Sequence, residues 1–207
     1  MTSRPSRRLG VGLVAIAVLA VAAAPAAATA ARAKKLKGTF ELGAGSYFRM
    51  LQPAAAGGGY FSNPYSTDSD KTYTPVTAGE DGGIETGKLQ PAPSPAFDAQ
   101  GNSLANLIIT PASFTGINFG LATVGTAPSI SVKNGKLSGQ LTGFTAEWNN
   151  QTFPQGSSAV KGTYNAKTRK YVLTWKSLVS GGPFNGFTGD WHLQGKFKLP
   201  RVFPLSP

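Results

Sequence analysis

The chain has 207 residues, with 20 Lys and Arg against 9 Asp and Glu, one histidine and no cysteine, and its formal charge is +11. Without cysteine there is no disulfide framework, no lipoprotein anchor and no thiolate metal site. With a single histidine, a zinc, copper or haem site of the usual composition is not expected.

Arg4, Arg7 and Arg8 precede an apolar run from Leu9 to Ala24, and Ala28-Thr29-Ala30 supplies small residues at the cleavage positions. That three-part pattern predicts a signal peptide over 1–30, with the mature chain starting near Ala31 and working secreted, outside the cell or associated with the wall. The Ala-rich, arginine-led signal has a bacterial look. No apolar stretch after Ala30 reaches the ~18 residues of a membrane-spanning helix, so none is expected in the mature chain.

Residues 31–37 read as a basic, disordered leader. A β domain is expected over 38–199, and 200–207 as a tail. Phe40 and Leu42 alternate with polar or small residues, and Tyr47 to Leu51 reads as a second strand. From 52 to 103 the sequence is rich in Gly, Pro, Ser, Asn and Asp, which predicts an irregular loop region, with one short strand over Thr72 to Val76.

The second half is more regular. Leu107 to Ile109 and Ser113 to Leu121 are apolar and β-branched. Ile130 and Val132 lead into Asn134-Gly135, a type I′ hairpin signal, and Lys136 to Leu141 returns. Phe144, Ala146 and Trp148 repeat with period two, as do Tyr171, Leu173 and Trp175. Val160 to Tyr164 is expected to pair with Lys170 to Leu178, and Gly186 to Leu199 forms a last strand. Helical periodicity is absent after residue 30. The fold class is therefore all-β, a single antiparallel β-sandwich or barrel-like domain, with Phe144, Trp148, Leu173, Trp175, Trp191 and Leu193 in its core.

Charge divides unevenly along the mature chain. Residues 31–98 carry seven basic and seven acidic side chains, whereas 99–207 carry ten basic ones against Glu147 and Asp190 alone. Lys133, Lys136, Lys161, Lys167, Arg169 and Lys170 lie in or beside predicted turns and are the candidate anion-binding residues. Such a field favours anionic wall polymer or polysaccharide. Dispersed lysines that only confer solubility are the alternative, and nothing calls for nucleic acid as a specific ligand.

Aromatic residues near loops can stack on sugars, and Tyr60, Phe61 and Tyr65 are the candidates; the same rings can instead cap the ends of a sandwich. Asp68, Asp70, Glu80 and Asp81 belong to acidic loops able to take calcium, the one cofactor the sequence admits, although Asp68-Ser69-Asp70 lacks the glycine and closing glutamate of an EF-hand. A solvated acidic loop is the alternative. His192 lies two residues from Asp190, but no G-x-S-x-G elbow accompanies them, so no catalytic residues are assigned.

Gly45-Ser46-Tyr47-Phe48-Arg49-Met50, Gly79-Glu80-Asp81-Gly82-Gly83-Ile84, the run from Phe144 to Asn150 and the closing Tyr171 to Trp175 together resemble the β-rich ectodomains of exported bacterial proteins that often carry PEP-CTERM-type sorting tails. No sorting tail follows Leu199. The resemblance implies an exported surface module and carries no activity. Two functions are consistent with the sequence: a non-catalytic binding or structural module at the cell surface or in the extracellular matrix, and an extracellular carboxylate-dependent hydrolase drawing on acids of the 68–98 region, as glycoside hydrolysis requires.

Overall fold

Alternation of large apolar with polar or small residues governs this chain, and a computed structural model shows what it builds. Residues 32–156 and 158–200 are described; the signal-peptide segment and residues 201–207 of the expected tail lie outside them. The strands are β1 (Lys34–Lys35), β2 (Gly38–Leu42), β3 (Tyr47–Leu51), β4 (Thr74–Pro75), β5 (Gly83–Thr86), β6 (Ala112–Phe114) and β7 (Ile117–Thr123). They continue as β8 (Ser129–Lys133), β9 (Lys136–Gln140), β10 (Phe144–Trp148), β11 (Gln151–Pro154), β12 (Val160–Tyr164), β13 (Lys170–Leu178) and β14 (Thr188–Lys198). Two short 3₁₀ turns, Ala54–Ala56 and Gly182–Phe184, are the only helical elements among the described residues.

The larger, curled sheet runs β1-β8-β9-β12-β13-β14-β2-β5, with β3 also on β14 and β4 on β3; the smaller runs β11-β10-β7-β6. Every pairing is antiparallel. The long strand β14 serves two partners: its first half pairs with β3 (His192 opposite Tyr47) and its second with β2 (Phe197 opposite Phe40).

The core fills the space between the two sheets. Phe144, Trp148, Leu173, Trp175, Trp191 and Leu193 are all buried, as their period-two spacing predicts. Trp175 and Trp191 are opposite in register and stack with centroids 5.4 Å apart, and Phe144 meets both edge-on. Each indole N–H is used. Trp175 donates to the Gln155 carbonyl at 2.9 Å, Trp191 to Gln155 Oε1 and Ser177 Oγ at 3.2 Å, and Trp148 to the Phe114 carbonyl at 3.0 Å. Buried polar atoms without partners would cost ~1–3 kcal/mol each, so these bonds let large amphipathic rings fill the interior.

Four elements differ from the sequence expectation. The basic leader is ordered at Lys34 and Lys35, which pair with Val132 and Ser131, because β8 offers a free edge and two exposed lysines can cover it. Gly83 to Thr86 forms β5 within the acidic, glycine-rich stretch, with Ile84 buried against β2. Gln151 to Pro154 forms β11, where polar residues hide a strand anchored by one inward Phe153. Leu107 to Ile109, expected as a strand, holds a single bridge from Ile109 to Ala78, and its isoleucines are buried in irregular chain. Among the described residues no helix is long and apolar enough to cross a membrane.

Candidate functional site

The outward side chains of β13 and β14 alternate with the tryptophan core, so their identity follows from the same period of two. Reading across the sheet, Lys170 stands opposite Lys196, and Lys196 opposite Glu41. Two residues further on, Val172 faces Gln194, then Thr174 faces His192, then Lys176 faces Asp190.

Two turns bring further cations to the Lys170 end. Asn134 and Gly135, with φ of 50° and 74°, make the tight turn between β8 and β9, which sets Lys133 and Lys136 opposite each other. Between β12 and β13, the Asn165 side-chain oxygen accepts from the backbone N–H groups of Lys167 and Thr168, and Arg169 takes φ of 58° to complete the turn. The two turns are joined, because the Tyr164 N–H donates to the Gly135 carbonyl at 2.7 Å. Lys133, Lys136, Lys167, Arg169 and Lys170 thus flank two adjoining turns. Lys161 is on the same outward face but further along β12, opposite Thr174.

An open groove of about 1130 Å³ runs between these turns and the β2–β3 turn at Gly43-Ala44. Thr163, Val172 and Gln194 are among its lining residues, with Lys167, Lys170 and Lys196 supplying cations and Glu41 the one acid. A smaller hollow of about 260 Å³ is lined by Lys167, Arg169, Lys196 and Lys198 together with Glu41. Glu41 is ion-paired with Lys198. Lys196 and Lys198 were not among the sequence candidates, although the Gly195-Lys196-Phe197-Lys198 alternation, with Phe197 buried, already assigns both to the outward face.

Further along β14 the same face changes character. The Arg49 guanidinium lies 3.3 Å from the Tyr60 ring centre and 4.2 Å from that of Tyr73. It donates to Thr72 Oγ1 at 3.0 Å and to Tyr73 Oη at 3.3 Å, while its Nε is buried without a partner. Tyr60 donates to Asp190 Oδ2 at 3.1 Å. Tyr47 and His192 stack with an interplanar angle of 5°, and His192 Nε2 lies 3.4 Å from Gln194 Oε1. Burial, reinforced by the neighbouring Tyr73 and Asp190, raises the Tyr47 phenol above its ordinary value; burial and the bond to Asp190 do the same for Tyr60.

The stacking candidates do not form one stacked platform, since Tyr60 and Phe61 lie on different faces. Tyr60 covers Arg49 on the outward face, whereas Phe61 joins Phe114, Phe184 and Phe187 at the end of the sandwich. Tyr65 is 59% exposed, its ring lying against Gly116. The four acidic candidates divide into two loops. Asp68 Oδ1 accepts from the Asp70 N–H and Asp70 Oδ1 from the Thr72 N–H, so each holds its own turn. Glu80 accepts from Asn106, and Asp81 from Gln90 with Lys88 3.8 Å away. Among the described residues no three acids or histidines gather as metal ligands would. Asp98 accepts from Gln100 and Asn102 in a third loop. Glu147 is buried beneath Thr145 and Thr152, whose hydroxyls it accepts.

No family model matches the chain, and neither a curated protein nor a solved structure matches it.

Proposed function

We propose that this protein is an exported, non-catalytic module of the bacterial surface or extracellular matrix that holds anionic polymer in the groove beside its two cationic turns. The observation that carries this reading is the convergence of Lys167 and Lys170 from one turn with Lys196 from β14 around a single open groove. Lysines held opposite one another repel, and an anionic polymer laid between them removes that repulsion while gaining the summed field of the cluster. Lysine is a compact, hydrated point charge without the planar fork of arginine, so a lysine-rich groove suits a repeating polyanion better than one defined anionic group. The predicted signal peptide and the resemblance to exported ectodomains support a location where such polymers occur. The carboxylates of the 68–98 region are already held within the protein, Asp68 and Asp70 by backbone N–H groups of one loop, Glu80 by Asn106, Asp81 by Gln90 and Glu85 by Lys88, and Asp98 by a further loop, which favours binding over catalysis.

The test is affinity chromatography of the mature chain on immobilised polyanion and on a neutral polymer of the same backbone. Retention on the polyanion that is lost with rising salt, and lost in a Lys167→Gln, Lys170→Gln, Lys196→Gln variant, is the expected result. Equal retention on both matrices contradicts it.

A further inference from the structure

Charge alone does not account for the whole outward face of β14. Its solvent-side residues recur every ~6.7 Å along the strand. In order they are a cation (Lys196), an amide (Gln194), an imidazole (His192) and a carboxylate (Asp190). The strip is continuous, because Gln194 lines the groove and lies 3.4 Å from His192, which stacks on Tyr47 from the adjoining strand. Rings stacked face to face on neighbouring strands turn their edges outward, so Tyr47 and His192 offer a hydroxyl and a ring nitrogen rather than a flat platform. Among the described residues, neither Tyr47 Oη nor Asp190 Oδ1 has a hydrogen-bond partner.

That chemistry is wrong for a polymer that carries charge at every repeat and few hydroxyls. Such a chain, laid on from Lys196, would bring an anion against Asp190. It suits a chain whose hydroxyls can donate to a carboxylate and accept from a phenol, and whose acidic groups are met at one end by the Lys170–Lys196 pair. We propose that the groove's ligand is an acidic polysaccharide, with its carboxylates at Lys170 and Lys196 and its hydroxyls read by His192, Tyr47 and Asp190, Gln194 being held between Ala44 and His192. This rests on the polyanion reading above and assigns the strip a role in selecting sugar over phosphate polymer.

Binding of polygalacturonate, long-chain polyphosphate and uncharged dextran at one low salt concentration tests it. Asp190→Ala removes a negative charge, so electrostatics alone tightens binding to both polyanions. The sugar reading instead predicts opposite signs: tighter polyphosphate binding, and polygalacturonate binding weakened about threefold or more through the lost acceptor. Tyr47→Phe keeps the stack on His192 and removes only the hydroxyl. It is expected to weaken polygalacturonate about two- to tenfold and leave polyphosphate unchanged, and it keeps the test decisive if the Asp190 variant does not fold. Equal responses of the two polyanions to either variant overturn the assignment of sugar while leaving the polyanion reading intact. Binding of neither polyanion above dextran overturns both.

Discussion

Lys170 and Lys196 stand directly opposite each other across β13 and β14, and the next residue in that row, on β2, is Glu41. Like charges in cross-strand register oppose folding, by up to about 1 kcal/mol for a facing pair. Antiparallel strands could have been decorated otherwise at no cost to the core, since Lys170 and Lys196 point away from it. A cationic pair kept at a cost, beside a groove, is the relationship on which the functional reading turns.

Glu41 is the acid within that groove and is paired with Lys198. Glu41→Gln should therefore tighten polyanion binding, whereas a loss of structure would weaken it. Glu41 is half-buried but its partner Lys198 is exposed, so stability should change by only about 1 kcal/mol or less. Titration calorimetry with polyphosphate, alongside thermal unfolding, separates the two effects.

Trp175 and Trp191 form the centre of the core, in register and stacked. Trp175→Ala should destabilise the domain by about 3–5 kcal/mol, because it opens a cavity beneath Phe144 and leaves the Gln155 carbonyl without its donor. Urea denaturation of residues 31–207 measures this directly. A change below about 1 kcal/mol would contradict the central place of this pair.

Much of this core was legible because β13 and β14 alternate, with one buried face fixing which residues point inward; in β10, buried on both faces, the large apolar residues still recur with period two. The cationic turns were legible for the same reason, since Asn134-Gly135 and the loop from Asn165 to Arg169 are turn signals with strands on either side. What the sequence hid is long-range. Nothing local tells that the Tyr164 N–H reaches Gly135, or that Lys196 comes to stand beside Lys170. Tyr60 and Phe61 looked like one aromatic patch because neighbours in a loop have no visible period. They diverge because Leu51 bridges Tyr60 and turns consecutive side chains to opposite faces. Strands β5 and β11 were missed because each buries few large apolar side chains and draws its order from partners far along the chain.

Gly195 marks the point where β14 leaves β3 for β2. A Cβ there would lie 1.9 Å from the Glu41 carbonyl oxygen. Gly195→Ala should force β2 and β14 apart, at a cost of about 1–3 kcal/mol, and should widen the groove that both strands line. Denaturation midpoints and amide exchange of β2 check the two consequences.

The Tyr171 phenol is held far above its ordinary value of 10.0 by burial, with the nearby Glu41 charge adding to the effect, and its hydroxyl donates to the Glu41 carbonyl. In the unfolded chain this group loses its proton near pH 10, whereas the folded chain retains it. The unfolded state then binds fewer protons, so stability must fall as pH rises above 10. Tyr171→Phe should flatten that alkaline decline. Stability measured from pH 8 to 11.5 in the two proteins shows it, and identical declines would refute the assignment to Tyr171.

If the two turns and β14 act together on a polyanion, its binding should depend on their cations jointly. The most direct measurement is the salt dependence of polyphosphate affinity for residues 31–207 and for a variant with Lys167, Arg169, Lys170 and Lys196 all replaced by Gln. Each cation in contact with the polymer releases counterions, so removing it should lower the slope of log affinity against log salt by up to ~1. A steep slope in the parent chain that collapses in the variant is the expected result. The same slope in both proteins would contradict the claim.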